Sequence, residues 1–280
     1  MIMEKLAIEQ LAAARDWVLV GEGYDNAVYS DAARTKIFRV PKKPSGRAIM
    51  EAEAIVLPQL AEQNLGAFIP TPTLYEEGGV FFAEYPFVRG VLYEELSKNE
   101  QEDLLIKLTG FLSNLHKIDT APFTMLAQIN WYEKCAALYQ EVIEHKQLFT
   151  AAQLEYAKNL FESYLNHAEY KNVPVALVHA DISLGHVYYE AGEISVIDWS
   201  DFRITDPAYE FRHLFEELDP AKHHLLQYNY IDADPTFWTR AATYRFLTNF
   251  DELLDFVKSD NQAQVQAYLG YIEGDRAEWK

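Results

Sequence analysis

A change of texture along the chain constrains the fold more than any other feature. Leu104, Leu105, Leu108, Phe111, Leu112 and Leu115 recur at helical spacing across residues 99–118, which puts an apolar stripe along one face of a long helix. Ahead of it the pattern differs. The runs Trp17–Gly21, Ala27–Ser30 and Lys36–Val40 carry Val, Ile, Phe and Tyr between turn residues, the mark of strands joined by tight connections. A short amphipathic helix is expected at 4–15, and a second at 46–63 with Pro58 as a kink. Two further strands are expected at 73–76 and 80–88, separated by Glu77-Gly78-Gly79. Beyond residue 99 helices dominate, at 131–147, 151–169, 207–217, 221–231 and within 235–274, with a brief return to strand at 175–178, 186–189 and 194–197. The reading is an α+β chain. A small antiparallel-sheet lobe with one main helix spans residues 1–88, a hinge lies near 88, and a larger, mostly helical lobe spans 89–280.

Asp and Glu outnumber Lys and Arg 43 to 24, for a net charge of −19, with most of the excess beyond residue 88. A duplex-binding protein needs a basic footprint, so nucleic acid is not expected as a partner. A small cationic ligand suits this charge. The single Cys135 permits no internal disulfide and fits a reducing cytoplasm; in the helical stretch Trp131–Leu138 it reads as packing. Glu4 and Glu9 interrupt the N-terminus where a signal peptide needs an apolar run, and no apolar stretch reaches the ~18 residues a membrane span requires. The expectation is a cytoplasmic monomer with no membrane partner.

The segment richest in chemistry is His179-Ala-Asp181-Ile-Ser-Leu-Gly-His186, followed by a hairpin and Val196-Ile-Asp198-Trp-Ser-Asp201. Asp181 ends a strand-like run and begins a loop. His186 opens a strand, and the turn Glu190–Glu193 brings the chain back so that Asp198 returns near it. One carboxylate, one imidazole and a second carboxylate are thereby gathered, as phosphoryl transfer requires: a base for a hydroxyl and ligands for the metal that bridges the phosphates. His-x-Asp alone recurs by chance, and isolated loop carboxylates usually cap helices or face water. The fixed step to His186 and the apolar strand before Asp198 favour the functional reading.

This pattern resembles the aminoglycoside phosphotransferase family, relatives of the protein kinases. His186 stands where most members have Asn, a replacement similar to the macrolide 2′-phosphotransferases and aminoglycoside 2″-phosphotransferases. Gly185-His-Val187, Ile197-Asp-Trp-Ser200, Arg203 and Asp206-Pro-Ala208 are similar to the macrolide enzymes, and Phe111–Ile118 looks like the family's helix before the substrate region. The resemblance covers residues 17–215 and is most specific over 176–210. It implies a protein-kinase-like bilobal fold, with Asp181 as catalytic base, His179 as scaffold of the catalytic loop, and Asp198 and His186 as Mg²⁺ ligands. Oxygen is the preferred ligand of Mg²⁺, so His186 is chemically the less usual of the two. Asp206, ahead of Pro207, reads as a helix N-cap. Asp201 faces either the acceptor or water.

The small lobe is expected to hold the nucleotide, GTP or ATP. Gly21-Glu-Gly23-Tyr-Asp-Asn26 supplies two glycines that would let backbone N–H groups approach phosphate, although Gly-x-Gly is as often a plain turn. Arg39 takes the place of the family's strand lysine, a permanent cation suited to phosphate. Glu53 is its expected helix partner, with Glu51 as alternative. Lys42 and Lys43 read as solvated. The hinge falls in Phe81–Val88, around Tyr85, where a base would pair with backbone groups. Tyr228, Tyr230, Phe237, Trp238, Tyr244 and Phe246, among Asp232, Asp234, Asp251 and Glu252, form either an aromatic wall for an apolar cationic acceptor or the core of amphipathic helices. Three functions compete. The first is phosphoryl transfer to a macrolide or aminoglycoside hydroxyl, the second a kinase of a small cellular metabolite. The third is a non-catalytic nucleotide-binding module, suggested by the missing third glycine and the arginine.

Overall fold

The structure, a computed structural model, describes residues 2–23 and 26–279. It divides into two compact units. The first comprises residues 1–114, 121–126 and 184–201, and the second residues 115–120, 127–183 and 202–280. This grouping differs from a boundary at residue 88: residues 99–114 and the 184–201 hairpin fall in the same unit as the N-terminal sheet.

In the first unit, helix α1 (Ile2–Ala14) precedes strands β1 (Val18–Glu22), β2 (Asn26–Ser30) and β3 (Lys36–Pro41). Helix α2 (Pro44–Ala61) and strands β4 (Thr73–Glu77) and β5 (Val80–Pro86) follow. The five strands form an antiparallel sheet in the order β1-β2-β3-β5-β4. Strand alternation sorts β3 and β5 into two faces. Phe38, Val40, Val80 and Phe82 pack on Trp17 on one face, with Trp17 stacked 4.0 Å from Phe38. Ala83 and Tyr85 join Met50 of α2 on the other. That second face also carries Arg39. Helix α2 runs through Pro58 to Ala61, and α3 (Lys98–Leu115) buries the Leu104–Leu115 stripe read from the sequence.

The hairpin of β7 (Val187–Glu190) and β8 (Glu193–Val196) is fastened to this unit at two points. Phe68 N–H donates to Ile194 O (2.8 Å) and Val196 N–H to Phe68 O (3.0 Å), while Val91 and Tyr189 exchange two bonds of 3.0 Å. The second fastening needs a glycine. Gly90 has φ +118°, and a Cβ there would stand 2.7 Å from the Tyr189 carbonyl oxygen.

In the second unit, α4 (Trp131–Glu144) is capped by Asn130, and α5 (Ala151–Leu165) by a Thr150/Gln153 capping box. Strand β6 (Ala176–Val178) pairs with β9 (Arg203–Thr205), a three-residue strand the sequence reading did not contain. Helices α6 (Arg212–Glu217), α7 (His223–Asn229), α8 (Phe237–Lys258) and α9 (Gln262–Glu278) complete it. Tyr230, Phe237, Tyr244 and Phe246 are buried, so they belong to the core; Tyr228 points to solvent. Asp206 caps the turn at Pro207 by accepting from Ala208 N–H (3.0 Å), and it also receives Arg240 Nε (2.6 Å) and Tyr244 OH (2.7 Å). Cys135 is buried, and burial pushes its thiol pKa up, which keeps it inert. Among the described residues, no helix is long and apolar enough to cross a membrane.

Candidate active site

In the first unit, strand alternation turns Arg39 toward α2. There its Nη1 lies 3.1 and 3.3 Å from the two carboxylate oxygens of Glu53, which is fully buried. Glu51 instead pairs with Arg47 on the exposed side of α2. Tyr85, on β5, donates its hydroxyl to the same Glu53 carboxylate, and its ring centroid is 5.5 Å from the Arg39 guanidinium carbon. Burial opposes the charge of Arg39, but Glu53, then Tyr85 and Asp198, outweigh it and raise the guanidinium pKa. Burial pushes the Glu53 carboxyl up, with Arg39 and Tyr85 countering only in part. It also pushes the Tyr85 hydroxyl up, as does Glu53, so that hydroxyl keeps the proton it donates.

Arg39 Nη2 also stands 3.7 Å from Asp198 Oδ1, and His186 Nε2 stands 3.8 Å from Asp198 Oδ2. The hairpin makes this possible: Ile197 N–H donates to His186 O (3.0 Å) and closes its open end. His186 itself ends a one-turn helix, Leu184–His186, rather than opening β7. Asp198 has φ +61°, a left-handed conformation that Asp tolerates better than most residues and that recurs at functional sites. Ser200 Oγ donates to Asp198 Oδ1 (3.1 Å) and lies 3.5 Å from Asp201, whose side chain is exposed.

Arg39, Glu53 and Asp198 are the charged lining of a cavity of about 290 Å³. Val28, Ile37 and Leu57, the Tyr85–Val88 segment, and Tyr188, Ile197 and Trp199 line the rest. An apolar slot with a few convergent charges at one end is the usual form of a small-molecule site. Gly21 lies in β1, and Gly23 donates its N–H to Asn26 O (2.9 Å). A Cβ on either would meet none of the described atoms closer than 3.7 Å. Tyr24 and Asp25 of this turn lie outside the described residues. Lys42 is exposed, and its ammonium donates to Gly23 O (2.6 Å) and reaches Glu22 (3.3 Å), tying the glycine turn to the end of β3.

Mg²⁺ is usually bound through one or two carboxylates, with phosphate and water completing its octahedron, so the Asp198 carboxylate fits that ion and the His186 imidazole, 3.8 Å away, is the less usual donor. Among the described residues, no group of three or more His, Cys, Asp or Glu is assembled to hold a metal.

In the second unit, Asp181 follows β6 in a loop whose backbone is tightly held. Glu210, fully buried, accepts from His179 N–H (2.7 Å) and Ala180 N–H (3.0 Å). That grip fixes Ala180 at φ +67°, a conformation alanine rarely adopts. His116 Nε2 is 3.5 Å from the same carboxylate, and its Nδ1 bonds Tyr230 OH at 2.8 Å. Burial would push Glu210 up, but His116, then His179 and its backbone N–H, hold it below the usual carboxylate range. His179 is buried and its Nδ1 accepts the backbone N–H of Asp181 (3.3 Å). His213 Nε2 lies 3.3 Å from Asp181 Oδ1, with Arg212 Nη2 at 3.9 Å. The sequence reading missed Glu210, His116, Arg212 and His213. Glu210, Arg212 and His213 meet the loop from 30 or more residues away, and His116 meets Glu210 from 94, so no local spacing announces them.

The fold is shared with solved structures. The GDP and kanamycin complex of APH(2″)-IIia matches with a TM-score of 0.86 at 20% identity, over 98% of this chain and 100% of that one. Macrolide 2′-phosphotransferase type I matches at 0.73 and 19%, over 98% and 97%. The macrolide 2′-phosphotransferase MphH from Brachybacterium faecium matches at 0.73 and 17%, over 95% and 96%. None of the curated protein sequences matches. The family match itself spans residues 16–246 and takes in Arg39, Glu53, Asp181, His186 and Asp198 alike, so the chain belongs to the phosphotransferase enzyme family (APH).

Proposed function

We propose that this phosphotransferase moves the γ-phosphate of GTP or ATP to a hydroxyl of a small cationic molecule, a macrolide or aminoglycoside antibiotic. The observation that carries the reading is the Arg39–Glu53 pair beside Asp198 at the charged end of an apolar cavity, which suits a flat base at one end and phosphates at the other. The kanamycin complex and the macrolide enzymes among the similar folds support the acceptor class. A metabolite hydroxyl remains the alternative, favoured by identities near 20%. The net charge and lone thiol support a cytoplasmic monomer acting on a small cation rather than on nucleic acid or membrane.

In this reading residues 1–88 bind the nucleotide, and 89–280 bring the catalytic loop, metal ligands and acceptor region. The Gly21 and Gly23 backbone approaches the phosphates, and the strand around Tyr85 meets the base. Arg39 turns its guanidinium to the phosphates while Glu53 and Tyr85 hold its plane. Asp198 and His186 hold Mg²⁺, which when bound supplies positive charge to the β- and γ-phosphates. Asp181 accepts the proton of the attacking hydroxyl, its loop fixed by His179 and Glu210. Asp201 faces the acceptor. The decisive experiment mixes the protein with Mg²⁺, GTP or ATP, and panels of macrolides, aminoglycosides and cellular alcohols, reading NDP release and product mass. Gain of one phosphoryl group on an antibiotic supports the reading. Transfer only to a cellular alcohol moves the acceptor to a metabolite, and nucleotide binding without any transfer points to a non-catalytic module.

A further inference from the structure

One short run of chain holds Asp181 twice. Glu210 grips the backbone just ahead of it, and three residues later His213 brings Nε2 to 3.3 Å from its Oδ1. Arg212, at 3.9 Å, is a different kind of neighbour. Its side chain is nearly buried, stacks 4.0 Å from the Tyr209 ring centroid and donates to Tyr209 O (3.4 Å), so it is a cation locked by its own contacts. The His213 and Asp181 side chains are each about one third exposed, which leaves both reachable from solvent. The χ2 torsion of an aspartate is broad and two-fold. A donor on one oxygen removes that freedom and fixes where the other oxygen points. A general base needs this, because it must meet its hydroxyl within hydrogen-bond reach.

We propose that His213 is a positioning residue for Asp181: its Nε2–H donates to Oδ1 and turns the second carboxylate oxygen to the acceptor hydroxyl. The inference rests on Asp181 being the base. As the acceptor oxygen bonds to the γ-phosphorus and the bond to the bridging oxygen breaks, the hydroxyl proton passes to Asp181 and NDP leaves with the bond electrons. His213 keeps its own proton throughout.

The test compares His213→Leu, His213→Gln and Asp181→Asn with Mg²⁺, GTP or ATP, and kanamycin or erythromycin; NDP release to water is measured alongside. His213→Leu is expected to lower kcat about 10-fold, the worth of one hydrogen bond to a charged group, with both KM values within about twofold. His213→Gln, with an amide N–H near the Nε2 position, is expected to recover most of that loss. A loss confined to folding would move thermal stability without this split or rescue. An unaffected His213→Leu, or a Gln variant no better than Leu, overturns the inference. Turnover retained by Asp181→Asn sinks the base assignment and this inference with it, whereas a dead Asp181→Asn beside an unaffected His213→Leu sinks this inference alone.

Discussion

Glu53 and Glu210 are both fully buried carboxylates that hold a functional group in place, Glu53 the guanidinium of Arg39 and Glu210 the backbone ahead of Asp181. Their surroundings push them in opposite directions. Glu53 faces one guanidinium and one phenol, and it shares that guanidinium with Asp198, whose charge adds to the upward push of burial. Glu210 faces two backbone N–H groups and two imidazoles, and the balance falls below the usual carboxylate range. The difference teaches what each anion is for. In the proposed reading, the arginine that turns to the phosphates rests against an anion it shares with Tyr85, and the loop ahead of Asp181 is fixed by an anion that accepts from two backbone N–H groups.

Replacing Glu210 therefore carries the largest expected effect. Glu210→Gln keeps one acceptor oxygen but turns an NH₂ toward a backbone donor, and should cost about 3 kcal/mol of unfolding free energy at neutral pH, measured by urea titration. The sign with pH follows from its lowered pKa. The stability Glu210 contributes is full above the ordinary carboxylate range and is lost as pH falls through its lower folded value. The gap between wild type and variant should close in acid, and a gap that widens there would reverse the assignment.

Glu53→Gln should cost less, about 2 kcal/mol, because burial already disfavours the charge being removed. Its signature lies elsewhere: the KM for the nucleotide should rise about 10-fold as Arg39 loses its orienting anion and swings to Asp198. If Glu53→Gln proves more destabilising than Glu210→Gln, the contrast between the two anions is wrong. Tyr85→Phe is a finer cut. It keeps the ring on the cavity wall, removes one donor to Glu53, and should cost about 1 kcal/mol with a two- to threefold rise in nucleotide KM. An unchanged KM would assign the hydroxyl to packing alone.

The sequence made one half of this contrast visible and hid the other. Arg39 and Glu53 were picked out through the family resemblance, with Glu51 as alternative, and in the structure Arg39 of β3 meets Glu53 of α2. The buried stripe of α3 was equally legible, since a helix writes its core face at fixed spacing. Asp181, His186 and Asp198 were found by spacing along a hairpin. Glu210, His116 and His213 were not, because pairing across 30 to 94 residues leaves no periodic trace. Strand β9 escaped for the same reason: Arg203-Ile-Thr205 is a strand only because β6 lies beside it. The aromatic residues of 228–246 showed what they were made of but not which way they faced. Burial, decided by α8 packing, sends most of them inward.

Asp275 is another buried carboxylate and carries the smallest effect. It sits on α9, 8% exposed, with the Asn249 amide at 2.7 Å and no backbone N–H donor or guanidinium bonded to it among the described contacts. Burial lifts its pKa to about 6, Asn249 and Arg245 pulling back while Glu216 and Glu278 push further. Here the sign is opposite to that of Glu210. The folded pKa lies above the unfolded one, so the favourable contribution is present below the ordinary carboxylate range and is lost as pH rises through about 6. Asp275→Asn removes a charge that the site resists and keeps an oxygen for the Asn249 amide. It should raise stability by about 1 kcal/mol at pH 7.5, after discounting for solvent screening, and bring no gain at pH 4. Thermal denaturation of both proteins at the two pH values measures it directly. A gain of equal size at both would trace the effect to packing, and the contrast would then rest on Glu53 and Glu210.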